Sequence, residues 1–310
     1  MQNRSIYSSD HELFRENARR FFREELEPNI EQWEKDGIVP KAFWRKAGEN
    51  GFLCCGVPEE YGGPGADFMY NMVLSEETGY AIGGASVGFS VSADIVAYYL
   101  LHAGTEEQKQ KWLPKMVTGE VIASIGMTEP GAGSDLKAIR TSAVRDGDEY
   151  VINGQKTYIT NGQNSDFVLL ACVTDPSKGA RGISMIIVEA DRAGFERGRN
   201  LDKIGQKAAD TSEMFFQDVR VPVSNLVGNE GEGFAMMMRE LPRERITIAC
   251  RAQAEAQRAF DVTNAYVKER KMFGQALADF QNTQFTLADL KTNLDVGWAC
   301  LLYTSDAADE

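Results

Sequence analysis

Between residues 126 and 138 the chain reads Gly-Met-Thr-Glu-Pro-Gly-Ala-Gly-Ser-Asp-Leu-Lys-Ala, directly after the apolar stretch Val121-Ile122-Ala123-Ser124-Ile125. Small residues at 131 to 134 let successive backbone N–H groups converge on an anion with no Cβ in the way, which predicts a phosphate-cradling loop at a strand end. An ordinary tight turn uses the same residues. The spacing Gly131-x-Gly133-Ser134 lacks the third glycine and the following helix of a dinucleotide fingerprint, and so argues against a nicotinamide site. A second stretch with chemical potential is Glu240-Leu-Pro-Arg-Glu-Arg245. By residue type alone, Glu244 reads as an acid in a first helical turn, favoured by the helix dipole and paired with the flanking arginines. As a general base it needs a substrate and an electron acceptor, which the residue by itself does not name. With only His11 and His102 in the chain, a histidine-based metal centre or catalytic triad is not expected.

Three regimes of pattern must position these residues. From about Ser9 to residue 120 the periodicity is helical. Ser9 with Glu12 is the expected capping box, and Leu13, Phe14, Ala18, Phe21 and Phe22 recur at three- and four-residue steps. Further helices are expected over Lys41 to Glu49, Asn71 to Tyr80 and Thr105 to Val117, broken by Tyr61-Gly-Gly-Pro-Gly65 and Gly83-Gly84. Between 121 and 228 short β-branched runs take over. Asp146-Gly147, Asn153-Gly154 and Asn161-Gly162 read as hairpin turns separating Ala143-Val144, Tyr150 to Ile152 and Thr157 to Ile159. Phe167 to Val173 and Ile183 to Val188 read as central strands, so the middle region is a small β barrel or sandwich. After Gly231-Glu-Gly233 helical periodicity returns, with Ala249, Ala252, Ala256, Ala259, Phe260, Thr263 and Val267 on one expected apolar face. The ring of Pro242 clashes with the carbonyl of Met238 and its nitrogen carries no proton, so a kink or helix restart is expected there. The fold class is therefore α+β and multidomain: an all-α region 1–120, a β region 121–228 and an all-α region 229–299.

Composition narrows the partners. The 310 residues carry 43% hydrophobic and 25% charged side chains, which is ordinary for a globular protein with a large core. A net charge of −13 argues against nucleic acid or an anionic membrane as the main partner, so a polyanionic ligand must find its own Lys and Arg. The five cysteines are scattered, with Cys54 and Cys55 adjacent and no Cys-x-x-Cys, which suggests neither disulfide framework nor zinc site and fits a reducing compartment. No apolar run reaches the roughly 18 residues of a membrane span. The first residues have the character of neither a signal nor a transit peptide, and a cytoplasmic location is expected.

The string 126–138, with Pro58-Glu-Glu-Tyr-Gly-Gly63, Asn153-Gly-Gln-Lys-Thr-Tyr-Ile-Thr-Asn-Gly162, Glu240 to Arg245 and Glu269-Arg-Lys-Met-Phe-Gly274, closely resembles acyl-CoA dehydrogenases over almost the whole chain, from Asp10 to about Ala299. The Leu-Pro-Arg-Glu-Arg segment most resembles the long-chain branch. The resemblance implies FAD as cofactor and α,β-dehydrogenation of an acyl-CoA of medium to long chain to the trans-2-enoyl-CoA in fatty-acid β-oxidation. It implies Glu244 as the catalytic base, a role that the long-chain and isovaleryl branches give to this position. By position, Met127 and Thr128 would line the isoalloxazine, Ser134 would meet the FAD pyrophosphate and the substrate, Tyr158 would stack on the ring and Thr160 would bond near N5. Arg245 would reach the substrate, while Arg270, Phe273 and Gln281 would reach the FAD of a neighbouring subunit in a homotetramer. An electron-transferring flavoprotein is the implied electron acceptor. By residue type alone, Thr128, Ser134 and Thr160 fit turn or strand packing equally well, Tyr158 and Phe273 fit core burial, and Arg270 fits a solvated helix end.

The resemblance weakens at the end of the chain. The family's C-terminal four-helix-bundle domain continues past Leu301, whereas Cys300 to Glu310 matches a translated transposase sequencing adapter. The expectation is a truncated C-terminal domain, an artefactual tail at 300–310, and an inactive protein unless the segment is restored. Competing expectations are an isovaleryl or other branched-chain dehydrogenase, an acyl-CoA oxidase that passes electrons to oxygen, and a non-catalytic acyl-CoA-binding protein on the same fold. The retained Glu244 speaks against the last.

Overall fold

In the computed structural model, which describes residues 6–306, the first regime folds into helices α1 (Ser9–Phe21), α2 (Ile30–Asp36), α3 (Lys41–Glu49), α4 (Phe68–Tyr80), α5 (Ala97–Ala103) and α6 (Glu106–Val117). The cap of α1 lies one residue earlier than the sequence pattern suggests. Ser8 is the N-cap, and its hydroxyl accepts from His11 N at 3.3 Å while the Ser8 N–H donates to His11 Nδ1 at 3.1 Å. The imidazole thus does what a Glu or Gln does in the usual box, and Glu12 pairs with Arg15 instead. At α6 the ordinary box forms between Thr105 and Gln108.

The middle region comprises β1 (Ala123–Gly126), β2 (Ser142–Asp146), β3 (Glu149–Thr160), β4 (Phe167–Val173), β5 (Ile183–Glu189), β6 (Phe195–Asn200), β7 (Thr211–Pro222) and β8 (Leu226–Val227). Their order is β6-β7-β3-β2-β4-β5-β8, with β1 parallel to β4. β2 and β4 meet only at Ser142 and Val173, so the strands form two layers hinged at one bridge. Residues from both layers share one core: Ala143, Tyr150, Ile152, Met214, Phe216 and Val219 from one, Val168, Leu170, Cys172, Ile186 and Val188 from the other. This is the sandwich solution to the expected barrel-or-sandwich choice. Asp146-Gly147 makes the expected turn, with Asp146 paired to Glu149. Asn153-Gly154 does not. It lies inside the 12-residue β3, because the Asn153 side chain bonds both the backbone N–H (2.9 Å) and the carboxylate (3.0 Å) of Asp218 on β7 at a register irregularity. Gly154 is needed there for close approach: a Cβ would lie 2.7 Å from Thr141 Cα.

Helix α7 (Gly233–Glu269) follows, then a hairpin of β9 (Lys271–Met272) and β10 (Gln275–Ala276), then α8 (Gln281–Asp306). Pro242 sits inside α7 without ending it, so of the expected kink or restart the restart does not occur. On the expected face of α7 Val267 is buried and Phe260 half-buried, while Ala249, Ala252, Ala256, Ala259 and Thr263 are exposed; beyond Pro242 the other buried residues are Ile246, Thr247, Cys250 and Ala254. Alanine is the best helix former whether buried or not, so its periodicity is compatible with the helix on either footing. What fixes the buried side is contact with α4: a Cβ on Gly79 would meet Arg251 O at 2.4 Å and Ala254 Cβ at 3.0 Å. Of the expected tail, Cys300 to Tyr303 lie in the last turns of α8, and residues 307–310 fall outside the described residues.

The chain divides into two compact bodies, one of Met1–Pro28, Met69–Ala85 and Arg243–Glu310, the other of Asn29–Phe68 and Ser86–Pro242. Among the described residues no helix is long and apolar enough to cross a membrane.

Candidate active site

In the second body, the 127–135 loop leaves the end of β1 and returns through a short helical turn at Leu136–Ala138 to β2. Its course is set by three clips to β3. Thr157 N–H donates to Thr128 O at 2.9 Å, and Lys156 Nζ donates to Met127 O at 3.1 Å and to Glu129 Oε1 at 2.8 Å. Glu129 closes the loop on itself by accepting from Arg140 N (2.7 Å) and Thr141 N (3.0 Å). Burial alone would raise the Glu129 pKa, but the Lys156 ammonium and these donors hold it below the ordinary carboxylate value. Burial draws the Lys156 ammonium below the ordinary lysine value, against the pull of Glu129. The rest of the loop is open. Nothing lies within 4 Å of where a Cβ on Gly131 or Gly133 would point, Ser134 is exposed, and Met127 and Thr128 are half-buried.

Next to the clips, β3 carries a bulge. Between Lys156 and Ile159 it advances three residues while β7 advances two, from Met214 to Ser212. Tyr158 takes up the extra residue with φ +59°, and its side chain is 68% exposed. A bulky residue in the left-handed region costs about 1–2 kcal/mol, so the backbone here is strained in order to aim a ring outward. The expected core burial of Tyr158, read from residue type, does not occur. Thr160, half-buried, pairs with Thr211 at the end of β3. The turn beyond it is anchored by Asn161, whose side chain donates to Gly88 O and Ala123 O. Asp210 accepts from Gln163 N and Asn164 N and holds the same turn. Met127, Thr128, Tyr158 and Thr160 are therefore brought onto one braced unit of loop and strand. Among the described residues, the hydroxyls of Thr128, Ser134 and Thr160 have no hydrogen-bond partner in the protein.

In the first body, Glu244 is half-buried on α7, one turn before Ile246 and Cys250 enter the core, and Arg245 beside it is exposed. Thr247 Oγ1 bonds Arg243 O at 3.0 Å, one turn apart. Phe273 and Gly274 form a two-residue loop between the paired Met272 and Gln275, with φ of +51° and +82°, the backbone of a type I′ turn. Phe273 is 90% exposed, so the core-burial expectation fails here as well. Arg270 and Gln281 are also exposed, and Arg270 O accepts from Leu277 N to close the hairpin. Lys156 and Glu129 stood in the quoted motifs without a role. The signal was available: Lys156 falls on the inward parity of β3 with Tyr150 and Ile152, where a lysine requires a buried acid.

Comparison with known proteins matches these regions in order. The models for the N-terminal, middle and C-terminal domains of acyl-CoA dehydrogenases match residues 8–120, 124–219 and 231–310. The chain is 45% identical over 295 residues to the mitochondrial long-chain specific acyl-CoA dehydrogenase of Rattus norvegicus, covering 94% of this chain and 68% of that one. It is 38% identical over 310 residues to the short-chain specific acyl-CoA dehydrogenase of Clostridium acetobutylicum, covering 96% and 82%. An acyl-CoA dehydrogenase from Geobacillus kaustophilus superimposes with a TM-score of 0.94 at 49% identity, covering 96% of this chain and 79% of that chain. The chain belongs to the acyl-CoA dehydrogenase family, a family of FAD-dependent oxidoreductases. The family architecture is also present: a helical N-terminal region, a middle β-sheet region and a helical C-terminal region.

Proposed function

We propose that this protein dehydrogenates a medium- to long-chain acyl-CoA to the trans-2-enoyl-CoA in fatty-acid β-oxidation. The substrate range rests on the identity with the long-chain relative and on the Leu241-Pro-Arg-Glu-Arg245 segment. The observation that carries the FAD reading is the braced loop beside the strained, outward-facing Tyr158. The residues present fit the cofactor: a cradle open at Gly131 and Gly133 for the pyrophosphate, an exposed hydroxyl at Ser134, and a free aromatic face and hydroxyl at Tyr158 and Thr160 for the ring. Met127 and Thr128 line the ring from the loop side.

When bound, FAD supplies a hydride acceptor for the substrate's β-hydrogen. Glu244 takes the α-proton onto a carboxylate oxygen as the C–H pair electrons move into the new α,β double bond, so the substrate loses two electrons and two hydrogens. A thioester α-proton is a weak acid, so this step needs a dry site and donors at the thioester oxygen. Seating the acyl chain excludes water from the site. Ser134 and Arg245 serve the CoA portion through a hydroxyl and a fixed cation.

Arg270, Phe273 and Gln281, all exposed on or beside one hairpin, serve the FAD of a second subunit in a homotetramer. The electron acceptor is an electron-transferring flavoprotein. A reducing, cytoplasmic setting is supported by five free cysteines, four of them buried. Domain borders near residues 120 and 228 fit this division of labour. The test is anaerobic titration of the FAD-loaded protein with acyl-CoAs of graded length. Bleaching of the flavin that is strongest for the longer chains supports the reading; no bleaching by any straight-chain acyl-CoA sinks it.

A further inference from the structure

One feature of the loop is larger than loop closure requires. Lys156 is fully enclosed, its side chain 0% exposed, and Glu129 is 8% exposed. The lysine stem runs past Gly126, where a Cβ would stand 3.5 Å from Lys156 Cγ. The Glu129–Ala132 bridge already closes the turn through two backbone hydrogen bonds, at 2.9 and 3.0 Å. Taking an ammonium and a carboxylate out of water is expensive, and a buried pair is commonly no more stabilising than an apolar pair of the same size. Stability alone therefore gives little reason for it.

What the pair does supply is a fixed direction. The ammonium touches both Met127 O and Glu129, and the next residue's N–H takes Thr128 O, so three consecutive loop residues are registered against one strand. That strand presents Tyr158 two residues later and Thr160 four residues later. The loop carries Met127, Thr128 and Ser134. One buried charge pair thus couples the two flavin-facing segments. Resting on the FAD reading above, we infer that Lys156 and Glu129 are positioning residues: they set the register between the 127–134 loop and the bulged strand, and so preorganise the flavin-facing surface in the absence of FAD. Neither side chain touches the cofactor.

The experiment uses the 310-residue chain and the double variant Lys156→Met/Glu129→Gln, which removes both charges while keeping chain volume and an acceptor for a backbone N–H. Each apoprotein is melted and then titrated with FAD, following flavin fluorescence and the visible spectrum. We expect the double variant to melt close to wild type, to bind FAD about tenfold more weakly, the scale of one lost charge-assisted hydrogen bond, and to show a shifted flavin band. A double variant that melts like wild type and matches its FAD affinity and spectrum overturns the inference while leaving the FAD reading intact. Should the double variant not fold, Glu129→Gln alone decides, because it leaves the Lys156 bond to Met127 O in place: weaker FAD binding supports the inference and wild-type binding overturns it. Wild-type protein that takes up no FAD overturns the functional reading itself, and the inference with it.

Discussion

The motif residues divide into two physical kinds. Along the 127–135 loop and β3, side chains are locked from within by an enclosed lysine and a buried acid, by Asn161 bonded to two carbonyls, and by a bulge that holds Tyr158 at φ +59°. On the β9–β10 hairpin and the start of α8, Arg270, Phe273 and Gln281 face solvent; Phe273 also sits in the left-handed region, at φ +51°, but its ring is 90% exposed and no buried charge pair braces it. The first region spends stability to fix geometry, as the proposed flavin site requires. The second leaves apolar and cationic groups exposed, as the proposed subunit contact requires. A motif match alone does not separate these two kinds; the burial of the bracing side chains does.

Substitutions in the two regions should behave differently. Lys156→Met, which leaves the Glu129 carboxylate buried without its cation, should cost about 3–5 kcal/mol, read from denaturant unfolding. A loss under about 1 kcal/mol, the value of an exposed pair, would mean the pair is wet. The same pair has a pH signature. Glu129 is held below its unfolded value of about 4.3, so its contribution is complete above that pH and is lost as pH falls through the lower folded value. Glu129→Gln should therefore flatten the acid limb of the stability curve, and an unchanged limb would show that Glu129 is not ionised in the fold.

Smaller effects test the outward-facing groups of the same region. Ser134→Ala and Thr160→Ala should each weaken FAD binding by about 0.5–1.5 kcal/mol with no change in apoprotein melting; equal losses in melting would make them packing residues. Tyr158→Asn moves the other way on stability. Asn tolerates the left-handed backbone, so apoprotein stability should hold or rise by up to about 1 kcal/mol while FAD binding weakens. Smallest of all on folding is Phe273→Asn, since Asn-Gly is the preferred type I′ pair. It should leave melting unchanged or slightly raised and reduce self-association in sedimentation; a destabilised monomer would place the ring in the core after all.

Much of the fold was legible because the strongest signals are local. Apolar runs such as Phe167 to Val173 and Ile183 to Val188 read as buried strands and are β4 and β5, and Thr105 with Gln108 announces α6. Failures occurred where a residue type carries two meanings. Asn153-Gly154 has the composition of a hairpin turn, but its asparagine is consumed by Asp218 across the sheet, a partner 65 residues away. The alanines of α7 mark the helix but not the side that is buried in this chain, which packs against Gly79 on another helix. In the site, the open loop at Gly131 and Gly133 could be read from the glycines, whereas the strain at Tyr158 and the Lys156–Glu129 clip depend on register between β3, β7 and the loop. Parity along β3 offered the one local hint of the clip.

The central claim is that Glu244 removes the α-proton while FAD is held by the braced loop. The most direct measurement is anaerobic, single-turnover flavin bleaching by a long-chain acyl-CoA, comparing Glu244→Gln with the unsubstituted protein, both loaded with FAD. The amide keeps the shape and cannot accept the proton, so the variant should bind FAD and acyl-CoA as before and bleach at least about 10²-fold more slowly, the lower end of general-base contributions. Bleaching at the unsubstituted rate would contradict the account and move the base elsewhere in the chain.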